Sequence, residues 1–202
     1  STNSEYLGIF HTIGETAKVS NMVITGNIRG HAYLGGLAGR NLGTIENIYN
    51  HAHITSTLGN DIGGIVGFNQ GTIKLVTNQG KITSNGSYTG GIVGQNDGVI
   101  MDAYNRNDVT GFSNVAGITG HNMGEISNSY NSGHILAKDS IAAGIAGTNS
   151  SIIYQVFNSG QITATNQNAA GIVGNFSAGN LSEAYNAGMI LSKKGQAAGI
   201  AA

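Results

Sequence analysis

Gly63-Gly64-Ile65-Val66-Gly67-Phe68-Asn69-Gln70-Gly71-Thr72-Ile73 decides the fold of this chain, because the same layout returns at a nearly constant interval. The motif Gly-[Ile/Leu]-x-Gly starts at Gly36, Gly64, Gly91, Gly117, Gly144 and Gly171, with a partial copy at Gly199. The intervals are 28, 27, 26, 27, 27 and 28 residues, and a degenerate copy, Gly8-Ile9-Phe10, lies another 28 upstream. Self-similarity at a period of this size marks a solenoid or array. The units tile 1–202 without a linker or a shift in composition, which predicts one domain. It comprises a degenerate first coil over 1–35, repeats from 36, 64, 91, 117, 144 and 171, and a partial repeat from 199.

Outward from the opening motif, each unit carries an Asn-x-Gly: Asn41/Gly43, Asn69/Gly71, Asn96/Gly98 and Asn122/Gly124, with Asn149/Ser151 a variant. Two residues later comes an apolar column, Ile45, Ile73, Ile100, Ile126, Ile153 and Leu181. An aromatic-Asn pair follows at Tyr49-Asn50, Tyr104-Asn105, Tyr130-Asn131, Phe157-Asn158 and Tyr185-Asn186, and only Thr77-Asn78 lacks the ring. A second turn, at Gly80, Gly133, Gly160 and Gly188, leads to another apolar column: Ile54, Ile82, Val109, Ile135, Ile162 and Ile190.

Short β-favouring segments separated by Gly and Asn, which tolerate positive φ, read as strands and tight turns. No stretch holds a 3.6-residue period. One unit cannot bury its apolar face alone, whereas stacked units place each Ile over the next at the strand spacing of about 4.8 Å. The expected fold is all-β: a right-handed parallel β-solenoid of about seven coils, each of 26–28 residues with three short strands. The hand follows from the crossover preference of parallel sheets. Alternation along Gly-Ile-x-Gly puts the Ile, the residue before the first Gly and the final Gly on one inward face, where small residues let the walls approach. The Asn columns should form amide ladders along the axis. Two orientations remain open for the Tyr column: simple alternation from Ile45 points Tyr49 inward, and a bulge at Asn47, Asp102 and Asn128 points it outward.

Composition narrows the function. The chain of 202 residues has 33 Gly, no Pro, Cys or Trp, 9% charged residues and a formal net charge of -1. Average domains carry about 25% charged residues and about 7% Gly. Ile and Asn are equally common, with 24 of each, so a core can form. Nine basic residues against ten acidic ones offer no cluster for nucleic acid or anionic membrane. No Cys means no disulfide and no thiolate chemistry. The longest apolar runs are too short to span a bilayer, and Ser1 to Phe10 lacks a signal-peptide layout, so neither nucleic acid nor membrane insertion is expected. The absence of an initial Met and the broken last repeat suggest a piece of a longer parent chain.

These residues resemble the GLUG repeat. Gly35-Gly36-Leu37-Ala38-Gly39 and Gly63-Gly64-Ile65-Val66-Gly67 match its opening, followed by Asn-x-Gly, Ile, Tyr, Gly and a further Ile or Val. Six internal copies in register cover nearly the whole chain. The resemblance implies a large secreted or wall-anchored bacterial protein, either an adhesin of the filamentous-haemagglutinin type or the non-catalytic part of a streptococcal-type IgA1 metalloprotease. An extracellular or cell-surface location follows, with a host protein or glycan as partner. The zinc-protease pattern His-Glu-x-x-His is absent: Asn122 follows His121 and Ile135 follows His134.

No catalytic, cofactor or metal site is expected within the chain. His51-x-His53 is the one pair spaced for a shared metal, and no carboxylate follows nearby. Asp97, Asp102 and Asp108 fall on separate parts of one coil, so they do not form a carboxylate pair of the glycosidase kind. Asp108 with Lys81 and His134 reads as solvated charge, as does Glu46 with Lys74. Sporadic Asp excludes the calcium-binding repeat pattern, and Leu136 and Leu191 interrupt the Thr column that an ice-binding face would need. The remaining candidate interaction surface is the ladder Tyr49, Tyr104, Tyr130, Phe157 and Tyr185, either a structural stack or a platform for sugars. The sequence therefore predicts a non-enzymatic spacer and interaction surface, with an IgA1-protease substrate-engaging region or a polysaccharide-binding or polysaccharide-active β-helix as alternatives.

Overall fold

The computed structural model describes residues 6–202; the first five residues of the expected first coil lie outside it. Every regular element among the described residues is a strand, and the strands form four seven-stranded sheets in which all neighbours are parallel. One interior coil runs Ser87–Gly90 in sheet A, Val93–Asn96 in sheet B, Val99–Asn105 in sheet C and Val109–Gly111 in sheet D. Each interior strand pairs with its equivalent one coil before and one coil after, as Ile73 does with Ile45 and Ile100. The chain is a parallel β-solenoid of seven turns.

A coil has four strands, one more than the sequence spacing suggests. The extra strand comes from splitting Gly-Ile-x-Gly: Gly36-Leu37 and its equivalents are bends between sheets A and B, not the middle of one strand. The corner rotates the chain, so alternation does not carry across it. Leu37, Ile65, Ile92, Ile118, Ile145 and Ile172 are buried as expected, and so are Ala38, Val66, Val93, Ala146 and Val173, which simple alternation turns outward. The corner is tight. A Cβ added to Gly36 would lie 2.4 Å from the Gly64 carbonyl oxygen, and one added to Gly64 would lie 2.2 Å from that of Gly91. Only glycine admits such an approach of backbones.

Two Asn-based corners turn the chain from B to C and from C to D. Asn41 Oδ1 accepts the Gly43 N–H at 3.1 Å, while its Nδ2 donates to Gly43 O at 3.2 Å and to Asn69 Oδ1 of the next coil at 2.8 Å. The first ladder runs Asn41, Asn69, Asn96, Asn122, Asn149. The second runs Asn50, Asn78, Asn105, Asn131, Asn158, Asn186. Ile13 and Ile24 hold the equivalent positions in the first coil and begin both columns without an amide. Each ladder bond is worth about 1 kcal/mol net, and together they satisfy corner groups that no water reaches.

Sheet C resolves the orientation of the Tyr column. Asn21, Asn47, Leu75, Asp102, Asn128, Gln155 and Glu183 all have φ between 46° and 58°, one in each coil. This left-handed residue shifts the alternation, so that Ile45 and Ile48 both point inward, Tyr49 points outward and Asn50 turns back into its ladder. Because every coil carries the left-handed residue at the same place, the strands stay paired one to one and no bulge forms; the shared φ alone re-aims the side chains that follow it.

Candidate functional site

The outward rings of sheet C stack on one another. Tyr130 and Phe157 lie 5.1 Å apart with planes 5° from parallel, and Phe157 and Tyr185 lie 5.2 Å apart at 7°. The Tyr130 hydroxyl bonds Ser159 Oγ at 2.7 Å. Tyr104 is in register with Tyr130, and Thr77 separates Tyr49 from the rest. Rings stacked at the coil spacing cover one another's faces and leave edges to solvent. The flat apolar surface that a sugar would need is therefore consumed within the stack, except at its ends. Tyr49, at 44% exposure, and Tyr185, at 63%, remain the most open.

A second, less regular strip lies where sheets A and B meet. Its sheet-A column is Tyr33, Asp61, Tyr88, Asn114, all with φ between 45° and 63°. Its sheet-B column is Arg40, Phe68, Gln95, His121, Thr148. The two columns meet one coil out of step. Tyr33 contacts the Phe68 ring (6.4 Å) and Tyr88 stacks on His121 (5.2 Å). A Cβ on Gly94, next to Gln95, would strike the backbone of Asp61 at 2.3 Å. Asp61 therefore sits between an aromatic pair on either side along the axis, with the Gln95 strand across from it. Arg40 lies beside Tyr6 and Phe68, with its guanidinium carbon 6.0 and 5.9 Å from their centroids, and Arg40 Nε donates to Gln70 Oε1 at 3.0 Å.

Asp61 is 5% exposed, and its Oδ1 is buried without a hydrogen-bond partner. Burial pushes its pKa up to about 7, and the negative charge of Asp97 adds to the rise. Gln95 Nε2 donates to Asp97 Oδ1 at 3.1 Å, which holds that exposed carboxylate near the strip. Burial pushes His121 down, and Asp97 partly offsets it. A desolvated acid with no cation beside it is costly, and such groups concentrate where a protein does more than fold.

The other sequence candidates are dispersed. Glu46 meets Lys74 at 3.3 Å and also Lys18 at 2.5 Å, and the two lysines hold its carboxyl below the usual range. His53 Nδ1 accepts the Lys81 N–H at 3.2 Å, and His134 Nε2 is 3.2 Å from Thr163 Oγ1. No group of three or more His, Cys, Asp or Glu suited to a metal occurs among the described residues. Nor is any helix there long and apolar enough to cross a membrane.

Sequence reasoning did not single out Tyr33, Arg40, Asp61, Phe68, Tyr88 or Gln95. Aligning the units column by column would have shown these two positions to be irregular in chemistry. Their one-coil offset, which puts Tyr33 against Phe68 and not Arg40, has no sequence signal. No family model, curated protein or solved structure matches the chain, so the GLUG resemblance rests on its repeated residues alone.

Proposed function

We propose that this chain is a non-catalytic β-solenoid segment of a large secreted or cell-surface bacterial protein, acting as a rigid spacer that carries an interaction surface. The observation that supports it is the unbroken register of four seven-stranded sheets threaded by two Asn ladders. Such a column transmits position along its axis, with nearest-neighbour contacts between coils. The sites that catalysis requires are irregular and preorganised, and the regular columns supply none. The irregular A–B strip is the surface best suited to contact a partner, because its half-exposed rings surround an unsatisfied acid.

A spacer of stacked units should shorten by whole coils. Deleting the two units from Gly117 to Ala170 joins Ala116 to Gly171 in register, and should shorten the particle by about 10 Å while leaving one cooperative unfolding transition. Small-angle scattering and urea unfolding read both quantities. Collapse of the shortened chain would count against independent, stackable units. Adhesion of the purified chain to host cells tests the surface role. Retention on a glycan array, lost in Phe68→Ala, would move the reading to polysaccharide binding.

A further inference from the structure

We propose that the A–B strip is a receptor for a cationic side chain, the guanidinium or ammonium of a partner polypeptide, which enters between the Tyr33–Phe68 and Tyr88–His121 pairs and sits against Asp61 and Asp97. This deepens the surface assigned above and rests on that assignment.

The argument begins with what the strip lacks. Asp61 is 95% buried by the complement of its 5% exposure, and its Oδ1 has no donor. The charged and titratable groups around it are Asp97 and His121, with Tyr33 and Tyr88 on its own sheet. Asp97 is the one whose charge acts on Asp61, and it acts unfavourably. Arg40, the cation of the strip, is turned to Tyr6, Phe68 and Gln70. A neutral partner could fill one hydrogen bond of Asp61, but only a cation relieves both its desolvation and its repulsion with Asp97.

The rings supply the second half of the recognition. A cation over an aromatic face is attracted by the ring quadrupole, more so when water is excluded. The strip already shows this chemistry one coil away, where the Arg40 guanidinium lies within about 6 Å of two ring centroids. At Asp61 the same kind of aromatic neighbours occur with an acid between them and no cation. An incoming guanidinium would meet rings of the same kind together with two carboxylates. The sheet-C stack of Tyr130, Phe157 and Tyr185 lacks the acid, since its rings follow one another in consecutive coils with no carboxylate between them.

Binding of a cation must favour the ionised form of Asp61, which sets the sign of the test. The probe is the peptide acetyl-Gly-Arg-Gly-amide, with acetyl-Gly-Gln-Gly-amide as the uncharged control, and the readout is the side-chain carboxyl NMR signal of Asp61 in the intact chain. The arginine peptide should lower the midpoint of the Asp61 titration by about one pH unit at saturation, equivalent to about tenfold tighter binding to the ionised state. Its affinity should therefore rise from pH 6 to pH 8. Asp61→Asn should remove that rise, and Asp97→Asn should weaken it. An Asp61 midpoint that does not move, or that moves equally with the glutamine peptide, overturns the proposal. So does pH-dependent binding that survives in Asp61→Asn. Any of these results leaves the spacer reading intact, because that is judged by particle length and cooperativity.

Discussion

Two aromatic regions on one solenoid are built to opposite rules. On sheet C the rings of Tyr130, Phe157 and Tyr185 repeat in phase, lie parallel and stack on one another. Where sheets A and B meet, Tyr33, Phe68, Tyr88 and His121 are interrupted by a buried acid, and the Tyr33–Phe68 pair is tilted by 50°. The first arrangement is what repetition gives when each coil copies its neighbour, and its groups satisfy one another. The second breaks the repeat in both columns and leaves an acid unsatisfied, at a cost to stability. Departures from local consistency of this kind are where function is expected in a folded chain.

The sharpest way to break the contrast is to remove the acid. The folded state holds the Asp61 proton up to about pH 7, whereas the unfolded chain releases it near 3.8. Its contribution to stability is therefore complete below pH 3.8, declines as pH rises, and is lost above about 7. The full difference is about 4 kcal/mol. Urea unfolding of the wild type between pH 4 and pH 8 should show that decline, and Asp61→Asn should flatten it. A wild-type profile that rises over this range would show that Asp61 is not held neutral.

The opposite region is tested by Phe157→Ala, which removes the middle ring of the stack. A loss of about 1–2 kcal/mol is expected, from two cross-strand ring contacts and the half-buried area. Phe157→Leu should recover the part due to area alone, and the difference between the two variants measures the stacking. Equal midpoints for Phe157→Ala and wild type would mean that the ladder is ornamental.

Next to the strip, Thr89 is fully buried between Ile62 and Val115, and its Oγ1 has no partner. Thr89→Val should raise stability by about 1 kcal/mol, measured as a shift in urea midpoint at constant m. A decrease would show that the hydroxyl is satisfied by water in solution. The smallest effect belongs to sheet C. Leu75 is exposed with φ 54°, where Asn47 and Asn128 occupy the equivalent position. Asn visits the left-handed region more easily than a branched aliphatic residue, so Leu75→Asn should gain about 0.5–1 kcal/mol.

Much of this architecture is legible in the residues. The period of 26–28, the Ile columns and the Asn-x-Gly turns specify stacked parallel coils, and both Asn ladders follow from Asn recurring in phase. Asn47, Asp102 and Asn128 pointed to a break in the alternation along sheet C. What they could not show is that Leu75, Gln155 and Glu183 adopt the same φ, since those residues have no intrinsic preference for it. Neighbouring coils impose the shape by hydrogen-bonding, on both sides for Leu75 and Gln155 and on one side for Glu183 in the edge strand. The fourth strand was hidden for a related reason: Gly-Ile-x-Gly looks like one extended segment until its corner is bent around the core.

The sequence by itself determined the repeat, the class of fold and the buried Ile and Asn columns. Tertiary structure alone decided which outer residues meet. Sheets A and B pack one coil out of step, so residues more than a full repeat apart in the chain, Tyr33 with Phe68 and Tyr88 with His121, become neighbours around Asp61. A period read along the chain records what stacks along the axis. Contacts across a corner depend on the stagger between two sheets, and at this stagger Gly67, Gly94 and Gly120 of sheet B lie against the backbones of Tyr33, Asp61 and Tyr88, where a Cβ would clash.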